Sequence, residues 1–305
     1  MTRIPGHPCG ATEPTRPSAA VAAATSALAE AGVGPARTEA ELLLAYVLGV
    51  SRGALALAAP LTPEQRDRLS DLVERRTRHE PLQHLLGSAA FRYLELAVGP
   101  GVFVPRPETE LLAGWGIEQA RLLGSESEPL VVDLCSGSGA IALSVAEEVP
   151  GARVVAVERA ASALHWLRRN AADRAAAGDR PIEVVAGDVT DPELLTGYAG
   201  RVDVLLCNPP YVPDGTAVPV EVAEHDPAEA VFGGPDGLAV IRPLLDRAAR
   251  LLRPGGVFGV EHDDTHGSAV PDLLRDDGRF VDVTDHPDLV GRPRFATARR
   301  ADPAP

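Results

Sequence analysis

Between Ser18 and about Leu86 apolar side chains recur at intervals of three and four, whereas beyond Leu130 they gather into short, nearly unbroken runs. The first arrangement is helical, because residues three and four apart share one face of a helix. Thr38-Glu39-Ala40-Glu41 and Thr62-Pro63-Glu64-Gln65 both fit a capping box, the second with Pro at the first helical position, so each is expected to open a helix. Leu42, Leu43, Tyr46 and Val47 then fall on one face of the first helix, and Leu69, Leu72 and Val73 on one face of the second. A small helical domain over 18–87 follows. Residues 1–17, with several Pro, Gly and Thr and hardly any large apolar side chain, are expected to be a disordered tail, and 301–305 a second one.

Phe91 to Val98 reads as a strand, Gly99-Pro100-Gly101 as a tight turn and Val102 to Val104 as a second strand, so that 88–104 forms a β-hairpin linker. Over 105–300 strand and helix alternate: Leu130 to Leu134, Ala140 to Glu148, Arg153 to Val157, Ala161 to Ala176, Ile182 to Ala186, Val202 to Cys207, Leu238 to Leu252 and Val257 to His262. Apolar strands separated by helices imply an α/β class with a mostly parallel sheet covered on both faces. Ligands of such sheets bind at the carboxyl ends of central strands, where strand order reverses.

The chain has 305 residues, enough for two domains with a buried core, and an apolar fraction of 45% agrees. A net charge of -14 argues against tracking a nucleic-acid backbone, which needs clustered cations. Lysine is absent and every basic residue but His is Arg, a bias of the coding sequence without functional weight. Cys9, Cys135 and Cys207 are too few and too scattered for a disulfide framework or a zinc site; no metal is expected, and a reducing, cytoplasmic compartment is. No apolar stretch approaches a membrane span, and no export signal is expected.

Two motifs carry chemistry. In the first, the apolar run Val131-Val132-Asp133-Leu134 leads into Cys135-Ser136-Gly137-Ser138-Gly139, a loop whose glycines permit close approach of a ligand to the backbone. Glu158 lies at the distance expected of a carboxylate that holds ribose hydroxyls. Alone, this loop fits a nicotinamide cofactor as well as S-adenosylmethionine. Asp133, just before it, suits a methionine amino group better than an anionic pyrophosphate, and Asp188, closing Val184-Val185-Ala186-Gly187, is placed to accept from an adenine amino group.

The second motif decides between them. Asn208-Pro209-Pro210-Tyr211 follows the apolar strand Val202 to Cys207 and suits N-methylation. A planar amide or aryl nitrogen keeps its lone pair conjugated, and attacks a methyl donor only when its N–H bonds are held and the pair is turned outward. The Asn208 side-chain oxygen and the Pro209 carbonyl supply two acceptors, Pro210 adds no competing N–H, and Tyr211 offers a flat face.

These residues, with Glu80-Pro81-Leu82-Gln83-His84-Leu85-Leu86-Gly87, Phe103-Val104-Pro105-Arg106-Pro107-Glu108-Thr109-Glu110, His225-Asp226-Pro227 and Gly234-Pro235-Asp236-Gly237, resemble the HemK/PrmC-type release factor glutamine N5-methyltransferases from about Glu80 onward. The resemblance implies a Rossmann-like S-adenosylmethionine-dependent methyltransferase sheet preceded by a small helical substrate-recognition domain. It implies methylation of the glutamine in the Gly-Gly-Gln motif of class I peptide chain release factors. By the same resemblance Cys135 to Gly139 wrap the methionine end of the cofactor, Glu158 its ribose, and Asp188 with Val189 its adenine. Asn208 to Tyr211 grip the glutamine, while Phe103 and the segment Arg106 to Glu110, with Glu108, wall the pocket. The chain departs from the family's usual Gly-Thr-Gly in having Cys135-Ser136-Gly137, where cysteine restricts φ. Acidic stretches such as Asp263-Asp264 and Glu221 to Asp226 are expected to meet an Arg-rich partner surface. The alternatives are an N-methyltransferase acting on an exocyclic amine of RNA or DNA, a cofactor-binding scaffold without turnover, and a dehydrogenase.

Overall fold

A computed structural model describes residues 15–124 and 128–302, so residues 1–14 of the expected tail, Cys9 among them, lie outside the described residues. The chain divides into two compact units between Leu86 and Gly87.

The first unit contains helices α1 (Pro17–Glu30), α2 (Ala36–Leu48), α3 (Pro63–Thr77) and α4 (Leu82–Leu86). Leu28, Leu43, Leu44, Leu69 and Leu72 bury in its core. The capping box at Thr62 forms as expected, with Gln65 N–H donating to Thr62 Oγ1 and Thr62 N–H donating to Gln65 Oε1. The one at Thr38 does not. Helix α2 begins earlier, at Ala36, with Pro35 as its N-cap, and Glu41 pairs with Arg37 and Arg52 instead of reaching back to the backbone. Tyr46 is exposed under the Arg68 guanidinium, so the buried face of α2 runs through Leu43, Leu44 and Val47. A buried ion pair, Arg76 to Glu39, ties α3 to α2, each charge answering a partner that burial would otherwise leave unpaired. Thr15 and Pro17 do not behave as tail: the Thr15 carbonyl accepts from Leu61 N–H, and Pro17 opens α1.

The second unit begins with a hairpin, β1 (Ser88–Phe91) and β2 (Leu94–Ala97), and continues with α5 (Thr109–Leu122), β3 (Leu130–Leu134), α6 (Ala140–Glu148), β4 (Arg153–Glu158), α7 (Ala161–Ala177) and β5 (Glu183–Ala186). It ends with β6 (Val202–Cys207), α8 (Val220–His225), α9 (Ala228–Val231), α10 (Ile241–Leu251), β7 (Leu252–Glu261), α11 (Ala269–Asp276), β8 (Phe280–Pro287) and β9 (Pro293–Arg300). The hairpin turns at Arg92-Tyr93 rather than at Gly99 to Gly101, and Val102 to Val104 is not a strand. Arg92 takes a positive φ of 51°, held because its N–H donates to Glu110 and its guanidinium pairs with Glu148.

Seven strands form one sheet in the order β5-β4-β3-β6-β7-β9-β8. The first five are parallel, while β9 pairs antiparallel with β7 and with β8. Both faces are covered: Val132, Leu134, Leu205 and Phe258 enter one core and Val131, Val204 and Leu206 the other, which is why these strands read as continuous apolar runs. Helix α5 and strands β8 and β9 are absent from the alternation read in the sequence. Strand β8 is a mostly solvated edge whose polar residues hide its period. Chain order reverses between β3 and β6, so the crevice predicted for such sheets opens beyond Leu134 and Cys207. Among the described residues no helix is long and apolar enough to cross a membrane, and no group of three or more His, Cys, Asp or Glu could hold a metal ion.

Candidate active site

A cavity of about 520 Å³ occupies that crevice. Its lining includes Asp133, Cys135, Ser136, Gly137, Ser138, Glu158, Asp188, Val189, Asn208, Pro209, Pro210 and Tyr211, together with Phe103, Arg106 and Glu108. Of the segment Arg106 to Glu110, Pro107 and Glu110 lie outside the wall, and of the residues expected to hold the cofactor or the glutamine so does Gly139. It caps α6 at φ 90°, and a Cβ there would lie 2.7 Å from Leu167 Cδ1, so its glycine serves packing beneath the loop.

The loop after β3 is fastened from several sides. Glu158, nearly buried at the end of β4, accepts from Gly137 N–H at 2.9 Å through Oε2 and from the N–H groups of Arg159 and Ala160, both at 2.8 Å, through Oε1. Asn170 on α7 donates to the Ser138 carbonyl and exchanges two further hydrogen bonds with the Ala97 backbone, joining loop, helix and hairpin. Cys135 sits at φ 59°, a glycine conformation, so the cysteine is strained rather than merely restricted. Asp133 is buried; Oδ2 accepts from Ala142 N–H, Oδ1 has no partner among the described residues, and burial pushes its pKa up to about 7. A buried carboxylate oxygen in the wall of the cavity fits a cationic ligand group. Asp188 accepts from the N–H and hydroxyl of Thr190 and faces Arg159, which together hold its carboxyl below the usual range, the Thr190 backbone bond foremost.

Opposite, the Asn208 amide at the end of β6 donates through Nδ2 to Thr109 Oγ1 at 3.1 Å, and the Tyr211 hydroxyl donates to Glu261 Oε1 at 2.8 Å. Because Cys207 pairs with Val260, Asn208 and Glu261 emerge side by side from β6 and β7. Glu261 is 1% exposed, and burial raises its pKa; burial beside Glu261 also drives the Tyr211 pKa well up. Behind the turn, a Cβ on Gly233 would stand 2.6 Å from the Pro210 carbonyl, and one on Gly237 would overlap the Tyr211 carbonyl. Only glycines let this loop press against the Asn208 motif.

Arg106 pairs with Asp226 at 2.5 Å and lies over the Phe103 ring, so two segments noticed separately in the sequence make one wall. Asp226 is therefore a buried structural charge, not a docking one; burial raises its pKa despite Arg106. Asp263 likewise caps its own turn by accepting from Thr265. Glu261, Arg294 and Asn170 were not singled out from sequence, and Thr109 was named there only within the wall segment Arg106 to Glu110. For Glu261 a signal was there: like Asp133 and Glu158 it is a carboxylate at the end of an apolar strand.

Comparison with known proteins agrees with this architecture. Residues 19–87 match the profile of the PrmC N-terminal domain and residues 120–226 that of the methyltransferase small domain. A release factor glutamine methyltransferase of Mycolicibacterium smegmatis is 50% identical over 94% of this chain and 98% of its own length. The chain belongs to the release factor glutamine methyltransferase family. A 4-amino-L-phenylalanine/4-methylamino-L-phenylalanine methyltransferase of Streptomyces pristinaespiralis is also similar, 40% identical over 87% of this chain and 89% of that one. Among solved structures, the hMettl16 catalytic domain in complex with MAT2A 3'UTR hairpin 6 matches in fold with a TM-score of 0.50, 15% identity, and coverage of 68% of this chain and 75% of that one. The Rossmann-like methyltransferase class expected from the sequence is thus the fold observed.

Proposed function

We propose that the cavity binds S-adenosylmethionine and that the chain methylates the side-chain nitrogen of the glutamine in the Gly-Gly-Gln motif of class I peptide chain release factors. The observation that carries this is the placement of Asn208. Its Nδ2 is already committed to Thr109, so Oδ1 is the end of the amide left for an N–H donor in the cavity, beside the Pro209 carbonyl. Two oxygens that hold both N–H bonds of a carboxamide turn its nitrogen toward the cofactor end of the same cavity and stabilise the positive charge that develops there.

When bound, S-adenosylmethionine supplies a methyl group activated by a positively charged sulfur. Asp133 is suited to its amino group, Glu158 to its ribose, and Asp188 with Val189 to its adenine. Phe103 and the Arg106–Asp226 pair shield the opposite wall from water. No general base is needed before attack, because the amide lone pair, once released from conjugation by orientation, is itself the nucleophile.

The name of the Streptomyces pristinaespiralis relative supports a second reading, an aryl amine as acceptor, since the same two oxygens would hold an aromatic NH₂. An exocyclic amine of RNA or DNA is the nucleic-acid form of that reading, and the net charge of -14 weighs against it.

The test is a labelled-methyl assay with a class I release factor, the same factor with the motif glutamine replaced by alanine, free 4-aminophenylalanine, RNA and DNA. Mass spectrometry then locates the label. One methyl group on the motif glutamine is expected, and label on any other acceptor with none on the release factor would overturn the assignment.

A further inference from the structure

The Asn208 amide could present either of its ends to the cavity, and the two ends do opposite things. With Oδ1 inward it accepts the substrate N–H; with Nδ2 inward it opposes one donor with another. What decides the matter is its other partner, Thr109 Oγ1, 3.1 Å from Nδ2. A hydroxyl can accept from Asn208 while its own proton goes elsewhere. Beside it stands the buried Glu261 carboxylate, whose Oε2 has no hydrogen-bond partner among the described residues and whose charged form the nearby Thr109 hydroxyl favours. Burial raises its pKa, whereas the Tyr211 hydroxyl and Arg294 favour the ionised form, and in that form the carboxylate only accepts. It draws the threonine proton toward itself and leaves the oxygen lone pair facing Asn208.

The same carboxylate receives the Tyr211 hydroxyl at 2.8 Å, so both ends of the Asn208 to Tyr211 turn are referred to one buried group. Asn208 and Glu261 are neighbours across β6 and β7, and Thr109 enters from the first turn of α5. Arg294, from β9, lies close enough to stabilise the carboxylate's charge.

Resting on the proposed role of Asn208, we propose that Glu261 is a positioning residue for methyl transfer, orienting the Asn208 amide through the Thr109 hydroxyl so that Oδ1 and not Nδ2 meets the substrate nitrogen. Glu261 acts through Thr109: it sets the direction of a two-bond chain that ends on Asn208.

Three variants test it, with a release factor as substrate. Thr109→Val removes the hydroxyl at nearly constant volume, and turnover should fall about 10- to 100-fold, less than the loss typical of deleting a preorganised group outright. KM and cofactor affinity should stay put. Thr109→Ser restores the hydroxyl and should restore turnover. Glu261→Gln places an NH₂ where an acceptor stood, invites the hydroxyl to reverse, and should resemble Thr109→Val in turnover with cofactor affinity retained. In Asn208→Ala/Thr109→Val the loss should be no greater than in Asn208→Ala alone, because the two act as one unit. An independent readout is the Asn208 side-chain NH₂ signal in ¹⁵N NMR, identified by its absence in Asn208→Ala. It should move toward the position of a free amide in Thr109→Val and hold its place in Thr109→Ser. Wild-type turnover in Thr109→Val, equal impairment in Thr109→Ser, or additive losses in the double variant would overturn the role of Glu261 while leaving that of Asn208 intact. Undiminished turnover in Asn208→Ala would overturn the proposed role of Asn208 itself.

Discussion

Along the glycine loop the groups that build the wall find their partners nearby in the chain: Gly137 meets Glu158 21 residues on, and Ser138 meets Asn170 32 residues on. Around Asn208 the partners come from far away, Thr109 at 99 residues, Glu261 at 50 from Tyr211, and Asp226 at 120 from Arg106. The first half presents mostly backbone, shaped by one βα turn and two carboxylates at strand ends. The second presents side chains whose direction depends on buried charges. A backbone cradle is fixed once its turn is fixed, whereas an amide that can face either way needs a third group to choose.

The contrast can be broken first at its most sensitive point. Asn208→Ala should lower turnover by ~10²-fold or more while leaving cofactor affinity unchanged, since one preorganised acceptor is lost; steady-state kinetics beside calorimetry separates the two. Glu158→Ala should do the reverse. It deprives three backbone N–H groups of their acceptor, so cofactor binding should weaken ~10-fold or more, with ~2 kcal/mol lost from stability. Titration calorimetry and denaturant unfolding read these separately, and an unchanged dissociation constant would remove Glu158 from the cofactor half.

A smaller effect concerns pH. Asp133 has its pKa pushed up to about 7 by burial, so between the ordinary carboxylate pKa and about pH 7 the folded chain holds a proton that the unfolded chain has already released. Its contribution to stability is therefore fully present below the ordinary carboxylate pKa of about 4 and is lost as pH rises toward about 7. A cationic cofactor group favours the ionised form, so affinity should climb by up to tenfold per pH unit below about pH 7 and level off above it. Asp133→Asn should flatten the profile. The smallest change is Cys135→Gly, which relieves a left-handed residue and should add about 1 kcal/mol, raising the melting temperature by about 2–4 °C. A fall in melting temperature would show that the thiol's packing outweighs the strain.

Much of this was legible beforehand because it is local. Strands β3, β4 and β6 announce themselves as apolar runs, the Thr62 cap as a four-residue signature, and the glycine loop as a turn between strand and helix. Errors arose where a long-range contact overrides a local preference. The hairpin turns at Arg92 because Glu110 and Glu148 hold it there, although Gly99-Pro100-Gly101 is the better turn by composition. Helix α2 ignores the Thr38 signature because Glu41 is engaged with two arginines. Likewise Asp226, read as a surface charge, is buried against Arg106.

Sequence alone was enough for the class of fold, the ends of the strands that bear Asp133, Glu158 and Asn208, and the chemistry that an amide followed by two prolines can perform, since each follows from residue type and spacing of two or three and a half. Which way the Asn208 amide faces, and that a carboxylate from β7 and a hydroxyl from α5 set it, emerged only with the folded chain. Hydrogen-bond direction depends on which donors and acceptors meet, and here the meeting joins positions 109, 208 and 261, which no local period connects.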